Sequence, residues 1–230
     1  MSTSSFRYTQ WVKEQPAIVL STPIVPTELH LSWLEVGTSD FDTFCQSEKV
    51  ADGAMGMSVE PLSYYLDRLP VRKDVVKVQA ALSNVDGEQT IHHTPDDQIK
   101  KHNLPDWVRG CNSLGRAHPT VAKLIDSMPV DKRPSILSET VSTMSYGTLM
   151  TRYNVKSVGC MKIDTEGHDL VILGSVMEWC STHPACWPRS IKFESNDLHD
   201  QTKVTETVEA LKRCGYLLLN RGYDTVMVRS

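Results

Sequence analysis

The stretch Leu34-Glu35-Val36-Gly37-Thr38-Ser39-Asp40 decides the fold. An apolar run ends in an acid, then a glycine, then small polar residues. A second apolar run, Gly56-Met57-Ser58-Val59-Glu60-Pro61, closes on Glu60, 25 positions after Glu35. Strand, glycine turn, helix, and then a strand ending in an acid is how an open α/β sheet builds a nucleotide pocket. The charge of the first turn narrows the ligand. A dinucleotide needs several glycines and no nearby anion, because its diphosphate rests on a helix N-terminus. Here only Gly37 is present, Glu35 precedes it, and Asp40 stands where a last glycine would sit. Two carboxylates beside a diphosphate would repel it by kcal/mol in a partly dry pocket. A cationic nucleoside fits better. S-adenosylmethionine carries a sulfonium and an ammonium and no phosphate. Glu60 can accept hydrogen bonds from both hydroxyls of its ribose.

Outward from this turn, strands and helices alternate, which predicts an α/β fold with a mostly parallel sheet. Strands are expected at 31–36, 57–60, 75–82, 141–144, 158–163 and 190–194. Helices are expected at 41–50, 62–69, 146–153 and 205–214, with another after Gly167 that carries Leu170, Leu173 and Met177 on one face. Ser145 is placed to cap the helix at 146, and Gly215 to stop the one ending at 214. Residues 216–219 and 225–228 are close enough to pair as a terminal antiparallel hairpin. Residues 1–30 are poorly periodic, carry Pro16, Pro23 and Pro26, and read as an N-terminal cap. Residues 88–140 hold five of the twelve prolines and four of the eight histidines. They read as an excursion from the sheet that shapes an acceptor site, with one helix after His118-Pro119.

The chain has 230 residues, 40% of them hydrophobic and 23% charged, enough for one large domain with a full core. The net charge of −4 and a pI near 6.1 disfavour a nucleic-acid binder. No apolar run reaches the ~20 residues of a membrane span. No secretory signal is visible, and the six scattered cysteines read as free thiols, so a cytoplasmic protein is expected, of a cell or of an infected host cell. It could equally be one module of a longer multidomain chain.

Glu35-Val-Gly37-Thr-Ser-Asp-Phe41, Val59-Glu60-Pro61 and above all Met161-Lys-Ile-Asp164-Thr-Glu166-Gly167-His168-Asp169-Leu-Val-Ile-Leu173 resemble the FkbM-type methyltransferases. Ile191-Lys-Phe-Glu194 is similar to the next strand of that family. The likeness runs over roughly 31–228. The turn departs from the family pattern at Asp40, where a glycine is usual, and at Glu35, where Asp is commoner. The resemblance implies a class I, Rossmann-like fold: a seven-stranded, mostly parallel sheet with a terminal antiparallel hairpin and helices on both faces. It also implies S-adenosyl-L-methionine as cofactor, S-adenosyl-L-homocysteine as product, and O-methylation of sugars or secondary metabolites. More loosely, the chain is similar to methyltransferase modules that decorate the surface glycans of large algal viruses, which makes a deoxysugar such as rhamnose a candidate acceptor.

The expected cofactor contacts are Glu35, Gly37, Ser39, Asp40, Glu60, Pro61, Ala81, Leu82, Ser113 and Asp164. Ser113 belongs to the run 110–116, which offers contacts to adenine or acceptor. Asp164 ends the strand at 158–163, where open sheets place their sites, and is expected near the transferring methyl. His168 and Glu194 are the leading base or orienting residues, since a hydroxyl attacks poorly while it keeps its proton. Each has a structural alternative: Glu166 favouring a helix N-terminus, His168 packed against the sheet, Glu194 paired with a buried lysine or amide. His118, Trp107 and Tyr146 are further acceptor candidates. Asp164 with Glu194 could instead hold Mg²⁺, although no metal is expected. Cys180, His183 and Cys186 lack the fourth ligand of a closed zinc site. A nicotinamide-dependent oxidoreductase and a non-catalytic module are the competing functions.

Overall fold

The computed structural model describes residues 28–41, 43–47 and 53–229; the segment read as an N-terminal cap lies outside them up to residue 27. A seven-stranded sheet forms the centre. Its strands are β1 (Leu29–Val36), β2 (Gly56–Val59), β3 (Val75–Val78), β8 (Val155–Ile163), β9 (Ser190–Glu194), β10 (Tyr216–Arg221) and β11 (Asp224–Arg229). They lie in the order β10-β11-β9-β8-β1-β2-β3. The sheet is mixed rather than of one kind. β1, β2, β3, β8 and β9 pair in parallel, whereas β11 runs antiparallel to both β9 and β10.

The parallel register aligns the strand ends. Val36 is opposite Val59 and Ile163, and Ile163 is opposite Phe193. The residues that follow, Gly37, Glu60, Asp164 and Glu194, therefore form one row along the carboxyl edge. Below that row the strands are apolar on both faces, as a covered parallel sheet requires. Leu34, Met57, Val59, Met161, Ile191 and Phe193 are all fully buried in one core. At about 1.5–3 kcal/mol for each large side chain removed from water, this core fixes the register. One polar pair interrupts it. Glu35 and Lys162 are register partners on β1 and β8, with Lys162 Nζ 3.1 Å from Glu35 Oε1.

The helices are α1 (Ser63–Arg68), α2 (Asp96–Lys101), α3 (Pro119–Asp126), α4 (Tyr146–Arg152), α5 (Asp169–Thr182) and α6 (Gln201–Arg213). Ser145 caps α4 by accepting the Thr148 amide, and Gly215 follows α6 with φ +92°. The helix expected at 41–50 is, in its described part, a single 3₁₀ turn, Phe44–Gln46. The strand expected at 75–82 is broken at Gln79-Ala80. Its first half is β3, and its second half, β4 (Ala81–Ser83), crosses into another sheet.

That second sheet is built mostly by the excursion. β5 (Gly87–His93), β6 (Ser113–Leu114) and β7 (Leu137–Ser145) join β4 in the order β4-β7-β5-β6. Much of β5 and β7 is exposed. The 88–140 segment is thus a small sheet with α2 and α3 packed beside it, not an irregular loop. Ile99, Leu104, Val108, Val121 and Ile125 give it a separate core.

Candidate functional site

A cavity opens along the carboxyl row. Its floor is the turn after β1, and its shape depends on Gly37. This residue has φ +76°, and a Cβ there would stand 1.9 Å from the Asp164 carbonyl oxygen. The Gly37 amide donates to Val59 O, and the Asp164 amide to Val36 O, so the three strand ends are stitched together. Ser39 also lies in the left-handed region, with φ +47°. Its amide donates to Glu60 Oε2 at 2.9 Å, while the Leu62 amide donates to Oε1 at 3.0 Å. Glu60 is buried. Burial lifts its carboxyl to about 7 although both amides pull it down.

The rest of the wall is apolar: Val36, Val59, Pro61, Ala81, Leu82, Ile91 and Leu114. Among the described residues, no lysine or arginine lines it. Ser39 Oγ and Asn112 Oδ1 border the cavity and are buried without a hydrogen-bond partner among those residues. Such orphans suit a ligand that brings its own polar groups. An apolar slot with acids at Glu60 and Asp164 fits the adenosine and cationic end of S-adenosylmethionine, and it offers no cation to a diphosphate.

Of the expected cofactor contacts, Gly37, Ser39, Glu60, Pro61, Ala81, Leu82 and Asp164 line this cavity. Three others do not. Glu35 is fully buried, and both its oxygens are engaged, by the Phe44 amide at 2.9 Å and by Lys162. Burial pushes its carboxyl up, and Lys162 holds it back. It braces the turn from behind instead of touching a ligand. Asp40 is clamped by two cations, Arg68 and Arg109, each at 3.1 Å. This accounts for its place in the turn: it ties β1 to α1 and to the excursion. Ser113 donates its hydroxyl to Arg116 O and borders a neighbouring recess. Gly110, Asn112 and Leu114, from the run 110–116, also line the cavity, whereas Val36, Ala80 and Ile91 do so without having been singled out; apolar residues carry no chemical signature in a sequence.

A wider cleft adjoins the cavity, and Gly110 borders both. Glu166, Glu194, Cys111, His118, Arg116 and Trp107 line it. The excursion thus contributes walls to both spaces. His118 is buried, with Nε2 3.0 Å from Glu166 Oε2. Glu166 adopts φ +53°, an uncommon conformation for a non-glycine residue, and such strain concentrates at functional sites. Burial and then the Glu166 charge lift Glu194 to about 8. Burial, offset by Lys162 and reinforced by Glu166, lifts Asp164 to about 6. Burial likewise pushes the Cys111 thiol to about 12.

His168 is not in this cleft. Its Nε2 lies 2.9 Å from Ser83 Oγ, and burial lowers its pKa, so it packs between α5 and β4. Tyr146 is fully buried and donates to Cys186 O, which removes it from sugar stacking. Cys180 and Cys186 are buried, and His183 stacks on Trp179. Two other groups have ligand atoms within 4.8 Å of one another, the spacing that a metal ion needs: Cys111 with His118 and Glu166, and Asp169 with Glu194 and His199.

A cavity with an acidic lining lies at the carboxyl ends of parallel strands, where open α/β sheets place their ligands. The methyltransferase FkbM domain matches residues 35–218, from the buried Glu35 to the middle of β10, and the chain belongs to this methyltransferase family. No curated protein and no solved structure gives a significant match.

Proposed function

We propose that the protein transfers the methyl group of S-adenosylmethionine to a hydroxyl of a carbohydrate, a deoxysugar such as rhamnose being a candidate. The observation that carries the reading is the acidic, cation-free cavity whose far wall is the buried Glu60. S-adenosylmethionine supplies an electrophilic methyl on a good leaving group. The acceptor oxygen forms the new C–O bond, the S–CH₃ bond breaks, and the acceptor proton passes to a base.

In this reading Glu60 accepts the ribose hydroxyls and Ser39 Oγ and Asn112 Oδ1 complete the polar contacts. The apolar wall from Val59 to Leu114 packs on the adenine. Asp164, in the wall of the donor cavity, is the residue nearest the methyl in this reading. Alignment alone supplies about 7–11 kcal/mol in such reactions. Asp164, ionised above about pH 6, is the leading base. Glu194, across the cleft, orients the acceptor. The exposed Trp107 offers an aromatic face to a sugar ring.

Titration calorimetry tests the donor. Binding of S-adenosylmethionine and S-adenosylhomocysteine is expected, with none for NAD(P)H. The opposite pattern would revive the oxidoreductase.

A further inference from the structure

Behind the cleft, at the carboxyl end of β9, three buried side chains converge from three segments. Asp169 opens α5, Glu194 ends β9, and His199 precedes α6. Each is more than nine-tenths buried. Among the described residues, Glu194 Oε2 and His199 Nε2 have no hydrogen-bond partner. Asp169 Oδ2 lies 3.7 Å from His199 Nε2, beyond hydrogen-bond reach. Buried carboxylates and imidazoles facing one another without bonds are costly in an apolar setting.

The other oxygens of the group are already held. Asp169 Oδ1 accepts the Glu194 amide at 3.1 Å, Asp169 Oδ2 accepts the Thr165 hydroxyl at 2.8 Å, and Glu194 Oε1 accepts the Asn196 side-chain amide. Outer donors orient metal ligands in this way: Glu194 Oε2 and His199 Nε2 are left to an ion, and Asp169 Oδ2 keeps a second lone pair for it. Ligand atoms at about 2.0–2.2 Å from one first-row cation stand roughly 3 to 4 Å apart, which suits the 3.7 Å gap. Asp169 has no lysine or arginine partner among the described ion pairs; His199 is its only ion-pair partner there.

We propose that Asp169, Glu194 and His199 bind one divalent first-row cation. Two carboxylates with one imidazole suit Mn²⁺ or Zn²⁺ better than a softer ion. Glu194 lines the cleft, so the ion is reached from the acceptor side. This set differs from the Asp164–Glu194 pair considered from sequence: Asp164 faces the donor cavity, and Asp169 takes its place.

The test is metal binding without methyl donor, so that its failure leaves the methyl-transfer reading standing. Chelator-stripped protein is titrated with MnCl₂, and free Mn²⁺ is followed by electron paramagnetic resonance. One Mn²⁺ per chain is expected, displaced by Zn²⁺. Glu194→Gln and His199→Asn should each weaken binding at least ~10-fold, and Thr165→Val by ~10–100-fold through the lost outer donor. Glu209→Gln, on the exposed face of α6, should bind as wild type. Circular dichroism checks that each variant is folded. If folded wild-type protein takes up neither Mn²⁺ nor Zn²⁺, or a folded His199→Asn binds as wild type, the proposal is wrong.

Discussion

Gly37 and Asp164 meet backbone to backbone: the space a Gly37 side chain would need is filled by the Asp164 carbonyl oxygen, 1.9 Å from the position of a Cβ. The turn and the strand end proposed to hold the donor and to carry the base are therefore one rigid unit. Gly37→Ala combines a left-handed conformation costing about 1–2 kcal/mol with a backbone clash that no rotamer relieves. We expect a lowered urea midpoint and donor binding weakened by more than tenfold. An unchanged affinity in calorimetry would show that the turn is not part of the donor site.

Glu60 makes stability depend on pH. Its carboxyl is raised in the folded state to about 7, from near 4.5 when unfolded. The folded state therefore holds a proton the unfolded state has released. Stability is lost as pH rises through the window from about 4.5 to 7 and is level above it. The effect is of order 3 kcal/mol. Glu60→Gln should flatten this part of the profile in urea unfolding at pH 5 and pH 8, while S-adenosylmethionine binding falls.

Asp164 should set the acid limb of the rate. Turnover is expected to fall as pH drops below about 6, where its carboxylate takes up a proton. Asp164→Asn should cost roughly 10²–10⁴ in kcat and remove that limb, with donor affinity changed far less. Full turnover in the variant would move the base elsewhere in the cleft.

The Glu35–Lys162 pair makes a stability prediction read by unfolding rather than turnover, because Lys162 Nζ also lies 3.6 Å from Asp164 Oδ2. Removing one partner of a buried pair leaves an uncompensated group and typically costs about 3–5 kcal/mol. Lys162→Met should destabilise by that order, because Glu35 is fully buried. The double variant Lys162→Met with Glu35→Leu should recover part of the loss. Thermal unfolding of the three proteins decides it: no recovery would mean that Glu35 matters chiefly through the Phe44 amide.

Much of the row that borders the cavity and cleft is legible from sequence, because acids at strand ends are a local signal. Glu60, Asp164 and Glu194 close apolar runs, and the register carries all three to one edge. What one residue does with its charge is not local. Glu35 and Asp40 look alike in sequence as acids flanking a glycine. Only the approach of Lys162 from β8 and of Arg68 and Arg109 from elsewhere shows that both serve the fold. The 88–140 segment reads as irregular because its strands are largely exposed and lack apolar alternation, so pairing between β5 and β7 settles them. The break at Gln79-Ala80 is hidden for the opposite reason: Val75 to Leu82 is apolar enough for one strand, yet it serves two sheets.

The in-register row Gly37, Glu60, Asp164 and Glu194 constrains how the chain can change length. A single insertion or deletion inside β1, β2, β8 or β9 would slide one member about 3.3 Å and turn it to the opposite face. No neighbouring strand could follow, since each is pinned by its own apolar partners. Insertions and deletions are thereby confined to the connections, above all to the segment between β5 and β7. The walls that this segment lends to the cavity and the cleft can be reshaped there without disturbing the row at the strand ends.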